Sequence, residues 1–149
     1  MKILYKLEHK HLIKTNLEIR EKVYDTKVLG FFSSEEHCKN MIMYYLQQPG
    51  FKDFPNGFVI EQIGANIDVF SDSDDAFDSS VFYLSHEYYD GEFDYISNLG
   101  YYSSYSLAQK KQSEYQLEPE YANCLDGFCI DEYEIDKAEW TEGFFVWDN

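Results

Sequence analysis

The sequence predicts an α+β fold of two pseudo-symmetric β-β-α-β units packed as one compact domain, and three observations carry that prediction. The chain repeats itself, since "LGFFSS" at residues 29–34 returns as "LGYYSS" at residues 99–104. The echo holds at the same offset, where Pro49 meets Pro119, Phe51 meets Tyr121, and "NGFVIE" meets "DGFCID". A repeat is tested first because it sets the whole fold. Within each copy the apolar pattern passes from short alternating runs to a helical spacing and back, the signature of strands flanking one helix. Finally, a chain that is 44% hydrophobic and 19% aromatic has the material for a core and is not disordered.

The elements follow in order. "ILYKLEH" and "VFYLSHEYY" are aromatic and aliphatic runs that predict the first strand of each copy. His9 and His86 correspond at an offset of 77, so the first copy carries seven extra residues, expected in a loop. "KVLGFF" and "ISNLGYY" predict second strands interrupted by a glycine, the sign of a bulge or a close backbone approach. Ser33 or Ser103 can then cap a helix, and Ser33 with Glu36 makes a capping box. Cys38, Met41, Ile42 and Tyr45 fall at helical spacing and face a core. In the second copy Lys111 and Gln112 replace Met41 and Ile42, leaving Leu107, Ala108 and Tyr115 as anchors of a looser helix. Pro49 and Pro119 stop the helices. Asn56-Gly57 and Asp126-Gly127 turn the chain into the third strands, "FVIEQI" and "FCIDEYEI". Residues 3–66 and 80–136 are therefore expected to superpose. The boundaries read as 1–67 for the first repeat, 68–80 for a solvated acidic linker, and 81–149 for the second repeat with an extra C-terminal strand. That last piece, "WTEGFFVW", has no counterpart in the first copy and reads as a strand completing the sheet or a lid.

Charge is unevenly divided. Residues 1–67 hold 9 basic and 8 acidic side chains, while residues 68–149 hold 3 and 20. Such a surface repels nucleic acid and membranes and attracts basic proteins. No apolar run has membrane-spanning length, and "MKILYKLEHKH" is charged too early for a signal peptide. Three cysteines without a C-x-x-C pair form neither a disulfide framework nor a zinc site, and a reducing, cytoplasmic setting is expected.

The chain lacks a nucleophile elbow, a Walker loop and a dinucleotide fingerprint, and nothing marks one carboxylate as a general acid. His9 and His11 share a strand face that a metal could use, but His86 repeats His9, which points to architecture instead. "DSDDAFD" is like a calcium loop only in composition, with Phe77 where the tight turn needs glycine. Neither an enzyme nor a bound metal or cofactor is expected. A binding surface remains. "HEYYDGEFDY" joins Glu87, Tyr88, Tyr89, Asp90, Glu92 and Asp94 around a hairpin, with Phe93 and Tyr95 among them. Aromatic rings rimmed by carboxylates compose an interface for a cationic groove, or else an amphipathic hairpin with its rings in the core. The linker aspartates Asp72, Asp74, Asp75 and Asp78 would steer a partner toward it.

The pattern "LEH...LGFFSSEE...QQPGFKDFPNGFVIEQ", with its echo ending "DGFCIDEYEIDKAEWTEGF", resembles a family of small uncharacterised bacterial domains, here present in tandem over nearly the whole chain. The Pro-Gly-Phe, Asp-Gly-Phe and Trp-Thr-Glu-Gly-Phe pieces carry the likeness, and the second copy departs from it at Pro119-Glu120-Tyr121. Proteins of this sort resemble immunity proteins of bacterial toxin systems, such as those of contact-dependent growth inhibition. The resemblance implies no catalytic residues. Taken with the acidic, aromatic-rich surface, it leads to the expectation of a cytoplasmic inhibitor, monomeric when free, that covers the cationic cleft of a cognate basic toxin domain, a nuclease of the RNase kind, since such a cleft must be cationic to hold phosphates. The alternatives from other classes are a regulatory or structural binding module and an enzyme of unknown reaction.

Overall fold

The computed structural model describes residues 3–16, 21–64, 77, 79–91 and 94–145, which form two three-stranded antiparallel sheets and two helices. The first sheet holds β1 (Ile3–Asn16), β2 (Glu21–Phe32) and β3 (Phe58–Gly64), with α1 (Glu35–Tyr45) between β2 and β3. The second holds β4 (Ser80–Tyr89), β5 (Asp94–Tyr102) and β6 (Phe128–Glu134), with α2 (Tyr105–Tyr115) likewise placed. Strand orders are β2-β1-β3 and β5-β4-β6, so each sheet is centred on its first strand. The chain divides into two compact units instead of the single domain expected. A central unit comprises Ile63–Ile135 with Met1–Ile3, and an N-terminal unit comprises Leu4–Gln62 with Asp136–Asn149.

The C-terminal assignment is corrected by that division. Residues 136–145 contain no strand and belong with the first sheet, not the second. They form an irregular arm along β2, where the Asp136 N–H donates to Phe31 O and the Glu139 N–H to Leu29 O, each at 2.8 Å. Further on, the Phe144 N–H donates to Pro49 O at 3.0 Å. No sequence repeat could reveal this, because the arm has no copy.

The seven extra residues of the first copy lengthen a hairpin; they do not form a loop. His11 pairs with Asp25 and Leu12 with Tyr24, as Tyr88 pairs with Tyr95 and Tyr89 with Asp94. Beyond that point β1 and β2 add three pairs, Lys14 with Val23, Thr15 with Lys22 and Asn16 with Glu21. A register shift between Leu12 and Lys14 takes up the odd seventh residue, Ile13. Paired backbone satisfies the N–H and C=O groups that a loop of the same length would leave to water. The predicted glycine interruptions match shifts at Leu7/Glu8, opposite Gly30, and at Leu84/Ser85, opposite Gly100.

The helix caps stand one residue later than expected. Ser34 accepts from the His37 N–H at 3.1 Å and Ser104 from the Leu107 N–H at 3.2 Å. Ser33 therefore makes no capping box with Glu36; its hydroxyl and N–H both donate to Asp136 Oδ1, at 3.0 and 2.8 Å. The predicted helix anchors hold, since Cys38 and Tyr45 are buried and Met41 and Ile42 pack against their cluster. Leu7, Leu29, Phe32, Phe51 and Phe144 complete that core. The second core is built on Leu84, Leu99, Tyr102, Ala108 and Tyr121, with only Ala108 buried from α2. Of the 68–80 run, Phe77, Ser79 and Ser80 are described; Phe77 is buried, unlike a solvated residue, and Ser80 begins β4.

Candidate partner-binding surface

Tyr88 and Tyr89 of β4 and Tyr95 of β5 stand at the hairpin end of the second sheet. Alternation along β4 puts Tyr88 on the face of His86 and Leu84, with Glu87 and Tyr89 on the other. The register sets Tyr88 opposite Tyr95, ring centroids 6.4 Å apart and stacked, and Glu87 opposite Ile96. An amphipathic hairpin would bury one of these rows. Neither row is buried: Tyr88 is 46% exposed, Tyr89 62%, Tyr95 49% and Ile96 66%. The Tyr89 hydroxyl donates to Gly91 O at 2.9 Å, which fixes its ring over the turn.

The structure thus gathers Glu87, Tyr88, Tyr89, Asp90 and Asp94 at one hairpin end, as the sequence predicts. It adds Ile96, whose apolar character inside "YISN" is the signal sequence reasoning passed over. Asp72, Asp74, Asp75, Asp78 and Glu92 lie outside the described residues.

Beneath the hairpin, His86 is an architectural side chain. It is buried, its Nε2–H donates to Cys124 O at 2.7 Å, and its ring packs on Tyr121 and Phe128, both with centroids at 4.7 Å. Gly127 is needed for this approach, since a Cβ there would lie 2.8 Å from His86 Nε2. The first sheet builds the same device. The His9 Nε2–H donates to Phe54 O at 2.9 Å, its ring packs on Phe51 and Phe58, and a Cβ on Gly57 would lie 2.7 Å from its Nε2. The two Gly residues read as turn formers do close turns, their N–H groups donating to Phe54 O and Cys124 O at 3.1 and 3.3 Å, and they also admit a histidine ring.

The first sheet continues where the second stops. His11 stacks on Phe54 and Phe144, and Lys27 lies 4.1 Å above the Phe144 ring centroid and 5.1 Å from that of Trp140 while bonding Asp25. A cation over aromatic faces is attracted by their quadrupoles, more so when desolvated, and Lys27 is only 7% exposed. Burial lowers the pKa of both His9 and His11, opposed chiefly by the bond to Phe54 at His9 and by Asp25 at His11. Among the described residues, the Nδ1 atoms of His9 and His11 are buried without a hydrogen-bond partner. Sequence reasoning missed Lys27, Trp140 and Phe144 here. The available signal was the contrast between Gly50 and Glu120: Gly50 has φ +84°, and a Cβ on it would come within 2.6 Å of the Phe144 ring.

No protein family, no curated protein and no solved structure matches the chain.

Proposed function

We propose that the protein is an immunity-type inhibitor, not an enzyme, that binds and neutralises a basic toxin domain, a nuclease of the RNase kind, in the bacterial cytoplasm. The observation that carries this reading is the doubly exposed tyrosine cluster at the β4–β5 hairpin end, set in the acidic unit. Residues 63–135 hold 16 acidic side chains against Lys110 and Lys111. Tyrosine presents large, rigid contact area, and carboxylates around it complement a cleft that must be cationic to hold phosphates. Among the described residues no helix is long and apolar enough to cross a membrane. The matching strand orders, caps and histidine devices support the reading of the two halves as a pseudo-symmetric pair, one of which has turned anionic.

The test is protection of bacteria expressing the toxin domain encoded beside this protein, together with binding kinetics at several salt concentrations. Changing Asp72, Asp74, Asp75 and Asp78 to Asn should slow association and flatten its salt dependence, because exposed charges act over a Debye length of ~8 Å. Truncating Tyr88 or Asp90 should speed dissociation, by roughly 2 kcal/mol where the residue is a hot spot. Variants neutral across residues 68–95 that still protect like the parent would refute the reading.

A further inference from the structure

The C-terminal arm covers the hairpin end of one face of the first sheet, and among the described residues the corresponding end of the second sheet, at Tyr88, Tyr95 and Ser97, is exposed. Register and packing establish the correspondence without appeal to ancestry. His9 pairs with Lys27 and His86 with Ser97, while His11 pairs with Asp25 and Tyr88 with Tyr95. His9 packs on Phe51 at 4.9 Å and His86 on Tyr121 at 4.7 Å. Three positions that the arm shields are more open in the central unit. His11 is 5% exposed and Tyr88 46%; Lys27 is buried and Ser97 exposed; Gly50 is buried and Glu120 exposed.

We infer that this face of the central unit, Tyr88, Tyr95, Ser97 and Tyr121 rimmed by Glu118 and Glu120, receives an extended, lysine- or arginine-bearing segment of a protein partner that lays an aromatic ring on Tyr88 as Phe144 lies on His11. The inference rests on the reading that the partner is a basic protein and names how it docks. The arm supplies the template for the occupant. It is irregular chain that donates backbone N–H groups to carbonyls of a sheet edge and of a proline, and inserts one ring. Charge selects the occupant's sign. In the N-terminal unit the face supplies its own cation, Lys27, against an arm that contains Asp136, Glu139 and Glu142. In the central unit that lysine is replaced by Ser97 and the loop has gained carboxylates at Glu118 and Glu120, in place of Gln48 and Gly50. A face that has lost its cation and gained anions calls for a cation from outside, and it disfavours the acidic arm of a second copy.

The probe is a capped fluorescent peptide, KAKWTKGFF, which is residues 137–145 with Glu139 and Glu142 changed to lysine. Titrated into the full-length protein at low salt, it should bind, and its affinity should fall as salt rises. Tyr88→Ala should weaken it about tenfold or more, as should alanine at the peptide's first phenylalanine. Ser97→Lys, which restores the cation of the N-terminal unit on an exposed position, should weaken it without altering thermal unfolding. Backbone NMR shifts should map to Tyr88, Tyr95 and Tyr121. No binding, binding indifferent to Tyr88→Ala and Ser97→Lys, or shifts at His11 and Lys27 from displacement of the arm would each overturn the inference. Tighter binding of the unaltered peptide KAEWTEGFF would overturn it in favour of a contact between copies. Failure here is distinct from failure of the toxin reading. A toxin neutralised equally well by a Tyr88→Ala, Tyr95→Ala variant sinks the docking face and leaves the inhibitor, whereas peptide binding without neutralisation leaves the face and sinks the inhibitor.

Discussion

Gly50 and Glu120 align at the seventy-residue offset of the echo, yet Gly50 is buried and precedes a 3-10 turn, whereas Glu120 is exposed and lies within one. Glycine at 50 takes φ +84° and lets the Phe144 ring approach, whereas the glutamate at 120 stands in solvent. Gly50→Ala should therefore cost about 2 kcal/mol through backbone strain and displacement of the ring, while Glu120→Ala should leave chemical denaturation midpoints unchanged. Phe144→Ala should cost about 3 kcal/mol, the usual scale for deleting a buried phenyl group, and should expose Lys27. The histidines beneath the arm add a pH dependence with a definite sign. Burial holds His9 and His11 below their ordinary 6.5. The unfolded chain then takes up protons that the folded chain resists, so stability is complete above that pH and is lost as pH falls through it. Protonation at Nδ1 would also create a buried N–H without an acceptor. Thermal unfolding followed by tryptophan fluorescence should show a lower midpoint at pH 5.5 than at pH 7, and His11→Gln should reduce that difference.

The two helices are alike in length and capping but not in burial. Each runs 11 residues and each N-cap serine accepts one backbone N–H. Ser34→Ala and Ser104→Ala should each cost about 1 kcal/mol. What holds a helix of three turns is its packed face more than its propensity. α1 buries Cys38 and Tyr45, and the Tyr45 hydroxyl reaches Leu29 O and Glu139 O, whereas α2 buries only Ala108. Amide hydrogen exchange should accordingly be faster in α2 than in α1, and Phe144→Ala should narrow the gap by loosening α1 alone. The hairpins differ in the same manner. Three further cross-strand pairs extend β1 and β2, and the shorter β4–β5 hairpin ends in exposed tyrosines.

Across the molecule, polypeptide and charge are partitioned between two compact units. The arm, residues 136–145, joins the unit that holds most of β1 and all of β2, so the N-terminal unit is closed only after synthesis passes residue 136. Truncation after Ile135 should raise hydrogen exchange throughout β1 and β2 and leave β4, β5 and β6 protected. Exchange that rises equally in both sheets would show that the arm supports more than its own unit. The charge partition follows the same division, since residues 63–135 hold most of the acidic excess.

Strand and helix placement was legible in the sequence, because alternation, helical spacing and turn residues are local and the internal echo states each element twice. The acidic bias and the aromatic hairpin were legible for the same reason, each being contiguous in the chain. The arm's position, the burial of Lys27 beneath Phe144 and Trp140, and the exposure of both tyrosine rows were not. Those depend on contacts between residues some 100 positions apart, as in Asp136 on Phe31 and Phe144 on Pro49. Whether an aromatic row faces a core or water is decided by whether another segment arrives to cover it. Among the described residues the first sheet receives such a segment at its hairpin end and the second does not, a difference of tertiary packing that two similar sequence patterns cannot express.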